Sequence, residues 1–569
     1  MERRTLCAIR AIALVLALPA LGNLSLARAD SSEVVVDSPS QNIEQAIREG
    51  LKLERGGDWA EALTHYEDAV RVFSKDELKS TEGAKLRRRM GVARLHFDLG
   101  RRYNDSSFYT GLIGLSHATT LDLYDEVLHS VETNYVDNPN WNSLLRNGTT
   151  GLSIALRDPQ FQEVNKVKPS YEVARKVIDE IWRTQISRDF KTRQQTQDFV
   201  SWASRVVSQR IGVSPSATVL EYACGATSAL DIYSTFLTGN ELNEVYSQIE
   251  GNFVGLGVEL KPDNDTLLID NVISQGPADR AGIRKGDRIV EVDGQATSAI
   301  SAERAADLLR GDENSYVQVG VLTGKDLRRL YIRRERVEVP SVEDVAIIDD
   351  KDEIGYLKIS SFQKTTYEDV SNALWNLHKQ GMRTLIVDVR GNPGGLLNES
   401  VEIADLFIKQ GSIVETRGRS VRENSSFTAH ETGTWRVPLV VLIDNDSASA
   451  SEIFAGAIRD HGVGTVVGER SYGKGSVQGI FPLRTVNAGV KLTTAKFFSP
   501  LGRTISGNGV EPEIVVSKIT RRMTARPDET GAFVEVDDDG APDRILEEGK
   551  RAAVRRMMAA LKTRVQSDR

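Results

Sequence analysis

Residues 437–478 constrain the fold more than any other part of this chain. They contain an apolar run at 438–443, a polar turn rich in serine, a helix-like stretch and a second apolar run at 465–468. Apolar run, turn, helix and apolar run in this order predict a β-α-β unit. The candidate chemistry lies where the two predicted strands end, at Ser449 and Lys474.

Ser449 falls at the start of the predicted helix, where free backbone N–H groups and the positive end of the helix dipole point outwards. The N–H of Ala450 could stabilise an oxyanion formed when Ser449 attacks a carbonyl. Serine needs a base, and His461 is badly placed because it lies about 16 Å along the helix. Lys474 is the better candidate, since its flanking glycines allow close backbone approach. A lysine acts as a base only when neutral, so burial must lower its pKa from about 10.4 towards about 7 or 8.

The residues around both positions resemble the active-site block of the carboxyl-terminal processing peptidases, a family of serine endopeptidases also called tail-specific proteases. The resemblance is carried by Ser-Ala-Ser-Ala-Ser-Glu-Ile at 447–453 and by Val-Gly-Glu-Arg-Ser-Tyr-Gly-Lys-Gly-Ser-Val-Gln at 467–478. It implies that Ser449 is the nucleophile and that Lys474, 25 positions later, is the base. It also implies a supporting role for Gln478 and, in some relatives, for an aspartate that corresponds to Asp460.

The two supporting groups differ in how well the sequence places them. In an extended segment Lys474, Ser476 and Gln478 share one face, so the Gln478 amide could hold the lysine. Asp460 is three helical turns from Ser449, and a close carboxylate would raise the lysine pKa rather than lower it. Taken singly, a serine at a helix start is usually a cap and Gly-Lys-Gly is usually a surface turn. The combination at this spacing favours catalysis.

The first 29 residues have the pattern of a secretory signal peptide. Basic residues precede an apolar run at 11–26, and Ala27-Arg28-Ala29 supplies small residues at the cleavage-determining positions. We expect cleavage before Asp30 and an exported protein, periplasmic or extracellular. The alternative is an uncleaved anchor that keeps the protein associated with the membrane; no later segment approaches membrane-spanning length. The net charge of −8 offers no basic surplus for nucleic acid.

Two helical regions are predicted to follow. Residues 30–110 resemble a tetratricopeptide repeat, with Gly56-Gly57 between two helices and a possible second repeat starting at 86–102. One and a half repeats cannot stack alone, so we expect them to pack on the next domain or on a protein partner; a plain helical hairpin is the alternative. Residues 111–250 form a second helical domain, whose outer parts resemble the helical region that precedes the PDZ domain in the processing peptidases.

Residues 251–338 are predicted to form a β-rich module, and residues 272–294 strongly resemble a PDZ domain. Such domains add an extended peptide as a strand and hold its terminal carboxylate with loop amides. The resemblance places this capture at Gly255, Leu256 and Gly257, with a helix at 302–310 as the other wall of the groove. The alternative is a structural glycine turn in a domain that only packs on the core.

Residues 339–520 are predicted to form the peptidase core, of the α/β crotonase-like type that the resemblance implies. The apolar run 384–389 is typical of a strand covered on both faces, and it ends in Arg-Gly-Asn-Pro-Gly-Gly at 390–395. Consecutive glycines at a strand exit can present amides to an oxyanion. The resemblance assigns the second oxyanion donor to Gly394. Residues 521–569 are predicted to be a linker and a last helix.

These observations predict a serine endopeptidase that captures the unstructured C-terminal tail of a protein substrate and cleaves upstream of it. Cys224 is alone in the mature chain, which excludes an internal disulfide and a cysteine-based metal site, and no metal or cofactor is expected. One alternative is an inactive scaffold of tetratricopeptide and PDZ modules, but a scaffold has no reason to keep the dyad. Acyl-CoA chemistry on the related crotonase fold would need a nucleotide site that the sequence does not offer.

Overall fold

The computed structural model describes residues 12–16, 43–263, 266–300, 305, 308–349, 351–431, 433–516 and 543–567. These form an N-terminal helical region, a small β-rich domain and an α/β core. Most of the predicted signal peptide, most of the predicted helix at 302–310 and almost all of the predicted linker lie outside the described residues. None of the described helices has both the length and the apolar composition that a membrane span requires.

In the N-terminal helical region, up to residue 250, the described regular structure is helical apart from two short strands, β1 (Ile12–Leu16) and β2 (Thr235–Leu237). Most of its longer helices begin at a serine, threonine, asparagine or aspartate whose side chain accepts a backbone N–H from the first turn. The helices are α1 Ile43–Gly56, α2 Trp59–Val72, α3 Lys75–Lys79, α4 Thr81–Asn104, α5 Ser106–Tyr109, α6 His117–Asn134, α7 Trp141–Ala155, α8 Pro159–Val164, α9 Tyr171–Ile186, α10 Arg193–Ile211, α11 Pro215–Ser228 and α12 Gly239–Glu250.

Helices α1 and α2 form the predicted hairpin. Gly57 lies between them with a φ of +83°, a value that favours glycine. Their apolar faces enclose Tyr66 together with Leu86 of α4. The second predicted repeat start lies inside the continuous helix α4, whose C-terminal half packs through Leu99 and Tyr103 into the core of the following helical domain. The segment therefore packs on the next domain, as expected, and the tetratricopeptide resemblance stays a prediction.

The β-rich domain is a twisted sheet with the strand order β4-β5-β6-β8-β9 and β7 paired to β6. Its strands are β4 Val258–Asp263, β5 Thr266–Val272, β6 Arg288–Val292, β7 Gln295–Ala296, β8 Tyr316–Thr323 and β9 Asp326–Arg333, and its short helix is α13 Pro277–Arg280. Strand β4 is an edge of this sheet. A separate two-stranded ribbon, β3 (Asn252–Gly255) with β10 (Glu335–Glu338), joins the domain to the rest of the chain.

The core is built on a six-stranded sheet with the order β11-β12-β13-β17-β18-β21. All its pairs are parallel except β11 with β12, and β13 and β17 are buried along their whole length. The strands are β11 Val342–Asp349, β12 Ile354–Ile359, β13 Thr384–Asp388, β17 Leu439–Ile443, β18 Gly464–Gly468 and β21 Ile514–Val515. Helices α14 Thr366–Lys379, α15 Leu397–Asp405 and α16 Ala450–His461 contribute apolar side chains to one face.

The other face of the parallel sheet is covered by the last described helix, α17 (Arg544–Ser567). Ile545, Ala552 and Ala553 of this helix are buried against Val440 and Leu442 of β17. The helix therefore completes the burial of both sheet faces, as the apolar strands require.

A second sheet in the core has the order β14-β1-β19-β20-β15-β16, and β2 of the helical region pairs with β20. Its remaining strands are β14 Gly394–Leu396, β15 Gly411–Gly418, β16 Ser425–Ala429, β19 Ser476–Pro482 and β20 Gly489–Phe498. Strand β1 lies between β14 and β19 and is antiparallel to both. An extended segment from the far N-terminus thus occupies the space between the loop of Gly394 and the strand of Gln478.

Candidate active site

The predicted strand–turn–helix–strand unit is confirmed. Strand β17 ends at Ile443, helix α16 begins at Ala450, and β18 pairs in parallel with β17. Ser449 immediately precedes α16 and is fully buried. Its φ of +63° lies in the left-handed region, which a residue with a side chain adopts only at a cost of order 1–3 kcal/mol. The turn therefore holds this serine in a strained conformation.

The three serines of the turn have different partners. Ser447 Oγ donates to the carbonyl of Val389 at 2.8 Å, and Ser451 Oγ donates to the carbonyl of Asn392 at 3.0 Å. Ser449 Oγ is buried and makes no hydrogen bond to any described group. Two serines therefore fasten the turn to the glycine loop that follows β13, while the one between them keeps a free hydroxyl.

Lys474 is also buried, with 1% of its surface exposed. Gly473 and Gly475 on either side have φ values of +89° and +52°, so the close backbone approach predicted for them is built from left-handed glycines. The amine Nζ has no hydrogen-bond partner among the described residues. It lies 5.0 Å from the centre of the Tyr233 ring.

The surroundings of Lys474 favour its neutral form. Burial and then the nearby Lys491 hold its pKa well below the usual value, while Glu452 and Asp231 act in the opposite direction. Lys491, on β20, is itself buried, and burial lowers its pKa to about 8. A neutral amine next to an unpaired hydroxyl is what a lysine base requires, although no hydrogen bond joins Ser449 and Lys474 among the described contacts.

Glu452 ties the two sequence motifs together. Its carboxylate accepts the N–H of Ser449 at 2.7 Å, the hydroxyl of Ser471 at 2.6 Å, and the N–H groups of Gly473 at 2.6 Å and Lys474 at 3.0 Å. Glu452 was not among the site residues predicted from the sequence. Its position three residues after Ser449 is that of an acidic residue in a capping box, so the spacing itself was a usable signal.

The predicted oxyanion donors are in different states. Ala450 N–H makes no hydrogen bond among the described contacts of the turn and is fully buried. Gly394 N–H donates to Asn392 Oδ1 at 2.8 Å, so it is occupied within its own loop. Asn392 also donates to the carbonyl of Ile359, which makes it the residue that shapes this loop. Asn392 belongs to the motif at 390–395, but it was not among the site residues predicted from the sequence.

Gln478 lies near the site but does not bind the lysine. Its Nε2 donates to Ser476 Oγ at 3.0 Å, and its Oε1 is buried without a described partner. The shared face holds for Ser476 and Gln478, both in β19. It does not extend to Lys474, because Gly475 interrupts the extended backbone between them with its positive φ.

The remaining predicted groups lie elsewhere. Asp460 pairs with Arg503 and accepts the N–H of Leu501, and His461 bonds the carbonyl of Ser412. Leu256 is buried in the core of the β-rich domain, and Gly257, with a φ of +77°, follows it directly before the edge strand β4. Cys224 is buried in the core of the helical region. The turn residues are thus gathered around Ser449, whereas Gly255, Leu256 and Gly257 lie in the separate β-rich domain.

Comparison with known families agrees with these two units. The family model "Peptidase family S41" matches residues 353–516, and the model "PDZ domain" matches residues 245–322. The expected fold class, a helical N-terminal region with a PDZ domain and an α/β peptidase core, is confirmed.

Individual relatives are similar over more than half of this chain. The chain is 33% identical over 338 residues to a carboxy-terminal-processing protease of Bartonella bacilliformis, covering 58% of this chain and 76% of the relative. It is 31% identical over 311 residues to a probable CtpA-like serine protease of Staphylococcus aureus, covering 54% of this chain and 62% of that relative. A solved photosystem II D1 C-terminal processing protease is 25% identical, over 70% of this chain and 93% of that one, with a TM-score of 0.37.

Proposed function

The chain belongs to peptidase family S41, and from that premise we propose that it is a serine endopeptidase that cleaves proteins near their C-termini. In this proposal Ser449 is the nucleophile and Lys474 is the general base. The observation that carries it is the pair of buried, unpartnered polar atoms, Ser449 Oγ and Lys474 Nζ, at the ends of two loops that share one carboxylate. Buried polar atoms without partners are rare in folded proteins and call for an explanation.

The proposed first step is acylation. The neutral amine of Lys474 takes the proton of Ser449 Oγ as this oxygen attacks the substrate carbonyl, and the amine must come within about 3 Å of the hydroxyl to do so. The buried N–H of Ala450 stabilises the oxyanion of the tetrahedral intermediate. Gly394 can add a second donor once its N–H leaves Asn392 Oδ1. The ammonium of Lys474 then protonates the departing amine, and the peptide bond breaks.

Deacylation uses the same groups in reverse order. Lys474, neutral again after giving up its proton, accepts a proton from a water molecule that attacks the acyl ester on Ser449. Collapse of the second tetrahedral intermediate returns the proton to Ser449 Oγ and releases the new C-terminus. Neither step requires a metal or a cofactor in this proposal. In this proposal Gln478 has a supporting role, and its buried Oε1, which has no described partner, is the atom available for it.

Two features support an extended peptide as the substrate. Strands β14 and β19 both have edges that pair with an extended segment, since β1 is antiparallel to each of them beside Gly394 and Gln478. In the PDZ domain, β4 is an edge strand that begins directly after Gly255, Leu256 and Gly257. We propose that this edge takes the C-terminal tail of the substrate, with the loop amides on its carboxylate.

The proposed place of action is outside the cytoplasm, in the periplasm or the extracellular space. This rests on the signal-peptide pattern of residues 1–29. Protein substrates with unstructured tails fit both the open edge of β4 and the narrow space between β14 and β19. A protein partner of the N-terminal helices remains part of the proposal.

The test is cleavage of an unfolded reporter protein that ends in small apolar residues, by the mature protein and by Ser449→Ala and Lys474→Ala. We expect each variant to lose at least about a thousandfold in kcat, because nucleophile and base act as one unit. Ser451→Ala is the matched control, since it removes a neighbouring buried hydroxyl that bonds a carbonyl. It should keep most of the activity.

The outcomes separate the two readings of the chain. Loss of cleavage in both dyad variants with activity retained in Ser451→Ala supports the peptidase. If the mature protein and all variants bind the reporter but none cleaves it, the scaffold of PDZ and helical modules becomes the better account. Cleavage that survives Lys474→Ala would require another base.

A further inference from the structure

The catalytic loop of residues 471–475 is contacted from outside by the N-terminal helices. Tyr472 lies two residues before Lys474, and its N–H donates to the carbonyl of Ser447 at 3.0 Å. Arg71, in the last turn of α2, donates to the Tyr472 hydroxyl at 2.7 Å and stacks over its ring at 4.4 Å. A guanidinium that both stacks and donates fixes the plane of a ring as well as its position. The first described helical hairpin is therefore attached to the loop that carries the proposed base.

A second arginine of the same segment supports the other side of the lysine. Arg94 of α4 donates to the carbonyls of Asp231 at 3.2 Å and Ser234 at 3.4 Å. The Asp231 carboxylate accepts the N–H groups of Tyr233 and Ser234, both at 2.8 Å, which closes this short loop. The ring of Tyr233, held between these residues, is the one that faces Lys474 Nζ at 5.0 Å.

The two arginines belong to one group of charges. Glu67 of α2 interacts with both Arg94 and Arg71, and its half-buried carboxyl has its pKa raised by burial. Arg71 also pairs with Asp68 at 3.2 Å. The row of Arg71, Glu67 and Arg94 therefore runs along the side of the helical segment that faces the catalytic loop. Residues 43–110 lie outside both matched family models. Both arginines therefore come from a part of the chain that neither family model covers.

We propose that Arg71 and Arg94 are positioning residues that hold Lys474 in place, each through a tyrosine. This inference rests on the proposed function of Lys474 as the base. The side chains form two walls: Tyr472 fixes the backbone of the loop, and Tyr233 covers the amine.

Tyr472 and Tyr233 matter because no hydrogen bond to a described residue holds the amine of Lys474. With no hydrogen-bond partner at Nζ, its position depends on packing and on the loop backbone. The ring face of Tyr233 also attracts the ammonium that forms when Ser449 gives up its proton. If either wall opens, water reaches the amine, the desolvation that keeps it neutral falls, and its pKa rises. The other groups that act on it are Lys491, Glu452 and Asp231. Arg94→Met also removes a charge that lowers the pKa of Lys491 and two bonds to the loop of Asp231, so Arg71→Met is the cleaner of the two variants.

The test compares Arg71→Met and Arg94→Met with Arg48→Met and Arg88→Met, which alter exposed arginines of α1 and α4. The first readout is the rate at which a fluorophosphonate labels Ser449, followed by mass spectrometry between about pH 6 and about pH 10. We expect labelling at neutral pH to fall about tenfold in the first pair, with the midpoint of the pH profile moved to higher pH. The second readout is hydrogen exchange of the amides of residues 471–475, which should become faster.

The pH midpoint separates positioning from a general loss of stability, because partial unfolding lowers the labelled fraction at every pH without moving the midpoint. Tyr472→Phe and Tyr233→Leu provide a second route if an arginine variant fails to fold. The first removes only the acceptor of Arg71, and the second removes the wall itself. We expect the phenylalanine variant to resemble Arg71→Met weakly and the leucine variant to resemble Arg94→Met.

The inference is overturned if the arginine variants match their controls in both the pH midpoint and amide exchange. If Ser449 of the unaltered protein is not labelled at any pH, the proposed dyad fails instead. Amide exchange then still decides whether the two arginines hold the loop, since it needs no activity.

Discussion

Two buried polar clusters of the core differ in whether their polar atoms have hydrogen-bond partners. At the end of β13, the Asp388 carboxylate accepts the Tyr356 hydroxyl at 2.8 Å and two nitrogens of the Arg390 guanidinium, Nε and Nη2, at 2.6–3.0 Å. Ser449 follows β17, Lys474 follows β18 and Gln478 lies in β19, and each keeps one buried polar atom without a described partner. Asp388 and Ser449 therefore lie at the carboxyl ends of neighbouring parallel strands, but only the cluster of Asp388 satisfies its hydrogen bonds.

The difference indicates that the paired cluster stabilises the fold, whereas the unpaired cluster is suited to the proposed chemistry. A fully paired cluster fixes a loop: Arg390 also reaches Asp543 at 2.8 Å, which anchors the start of α17. An unpaired cluster costs stability, because each buried donor or acceptor that lacks a partner carries a desolvation penalty of about 1–3 kcal/mol. Other buried atoms of the core, such as Thr384 Oγ1, also lack a described partner, but Ser449 Oγ and Lys474 Nζ are the ones that the proposed chemistry needs free. Stability measurements can therefore test the assignment without a substrate.

The largest expected effect comes from breaking the paired cluster. Arg390→Met leaves Asp388, which is 1% exposed, as a buried charge with a single side-chain donor, and should lower the free energy of unfolding by about 3 kcal/mol or more. Lys474→Met, in the unpaired cluster, removes an amine that has no partner and should leave stability unchanged or raise it by about 1 kcal/mol. Denaturant unfolding of both variants measures the contrast.

A surface pair gives the matched control. Arg383, 66% exposed, pairs with Glu353 on the same domain, and Arg383→Met should cost less than about 1 kcal/mol. A loss of stability in Lys474→Met as large as that in Arg390→Met would contradict the comparison, since it would mean that the amine of Lys474 is paired in solution.

The fold and the candidate pair Ser449 and Lys474 were accessible from local sequence patterns. Strands β13 and β17 are continuous apolar runs, and such runs have few alternatives in an α/β core. The spacing of Ser449 and Lys474 within a recognisable block placed both residues in one buried turn region. The pattern of alternate faces was wrong at Lys474, because Gly475, with its positive φ, interrupts the extended backbone before β19 begins. Periodicity arguments assume regular backbone, and the glycine that makes the loop is what breaks them.

The walls of the site could not be predicted in the same way. Tyr233 reaches Lys474 from the helical domain, and Arg71 reaches Tyr472 from α2, so no local spacing relates these residues to the motif. Packing between distant parts of the chain decides such contacts. Glu452 is the intermediate case, since its distance from Ser449 along the helix was readable but its bonds to residues 471–474 were not.

A smaller loss of stability is expected from substitution of Glu452, which is paired itself but bonds the loops that carry unpaired atoms. This buried carboxylate is fully paired, yet all its donors belong to the loops of the unpaired atoms. Glu452→Gln replaces one acceptor oxygen by an NH₂ group that faces N–H donors, and should cost about 2 kcal/mol of stability together with most of the reporter cleavage. Glu399→Gln is the matched control, because that buried carboxylate accepts only the N–H of Tyr367 among its described hydrogen bonds. Equal behaviour of the two variants would show that Glu452 has no special part in holding the loops.

The smallest effect is the contribution of Lys474 to the pH dependence of stability. Its folded pKa is depressed, so between that value and the unfolded value near 10.5 the unfolded chain binds one proton more than the folded chain. Stability should therefore rise with pH in this window, by at most about 1.4 kcal/mol per pH unit, and Lys474→Met should lack this part of the rise. Lys491, with a pKa of about 8, adds a similar slope to both proteins and cancels in the comparison. Denaturant unfolding at several pH values gives the difference, with the exposed Lys379→Met as control. Parallel curves for the unaltered protein and Lys474→Met would mean that the amine is charged in the folded state, and the unpaired cluster would then lose its base.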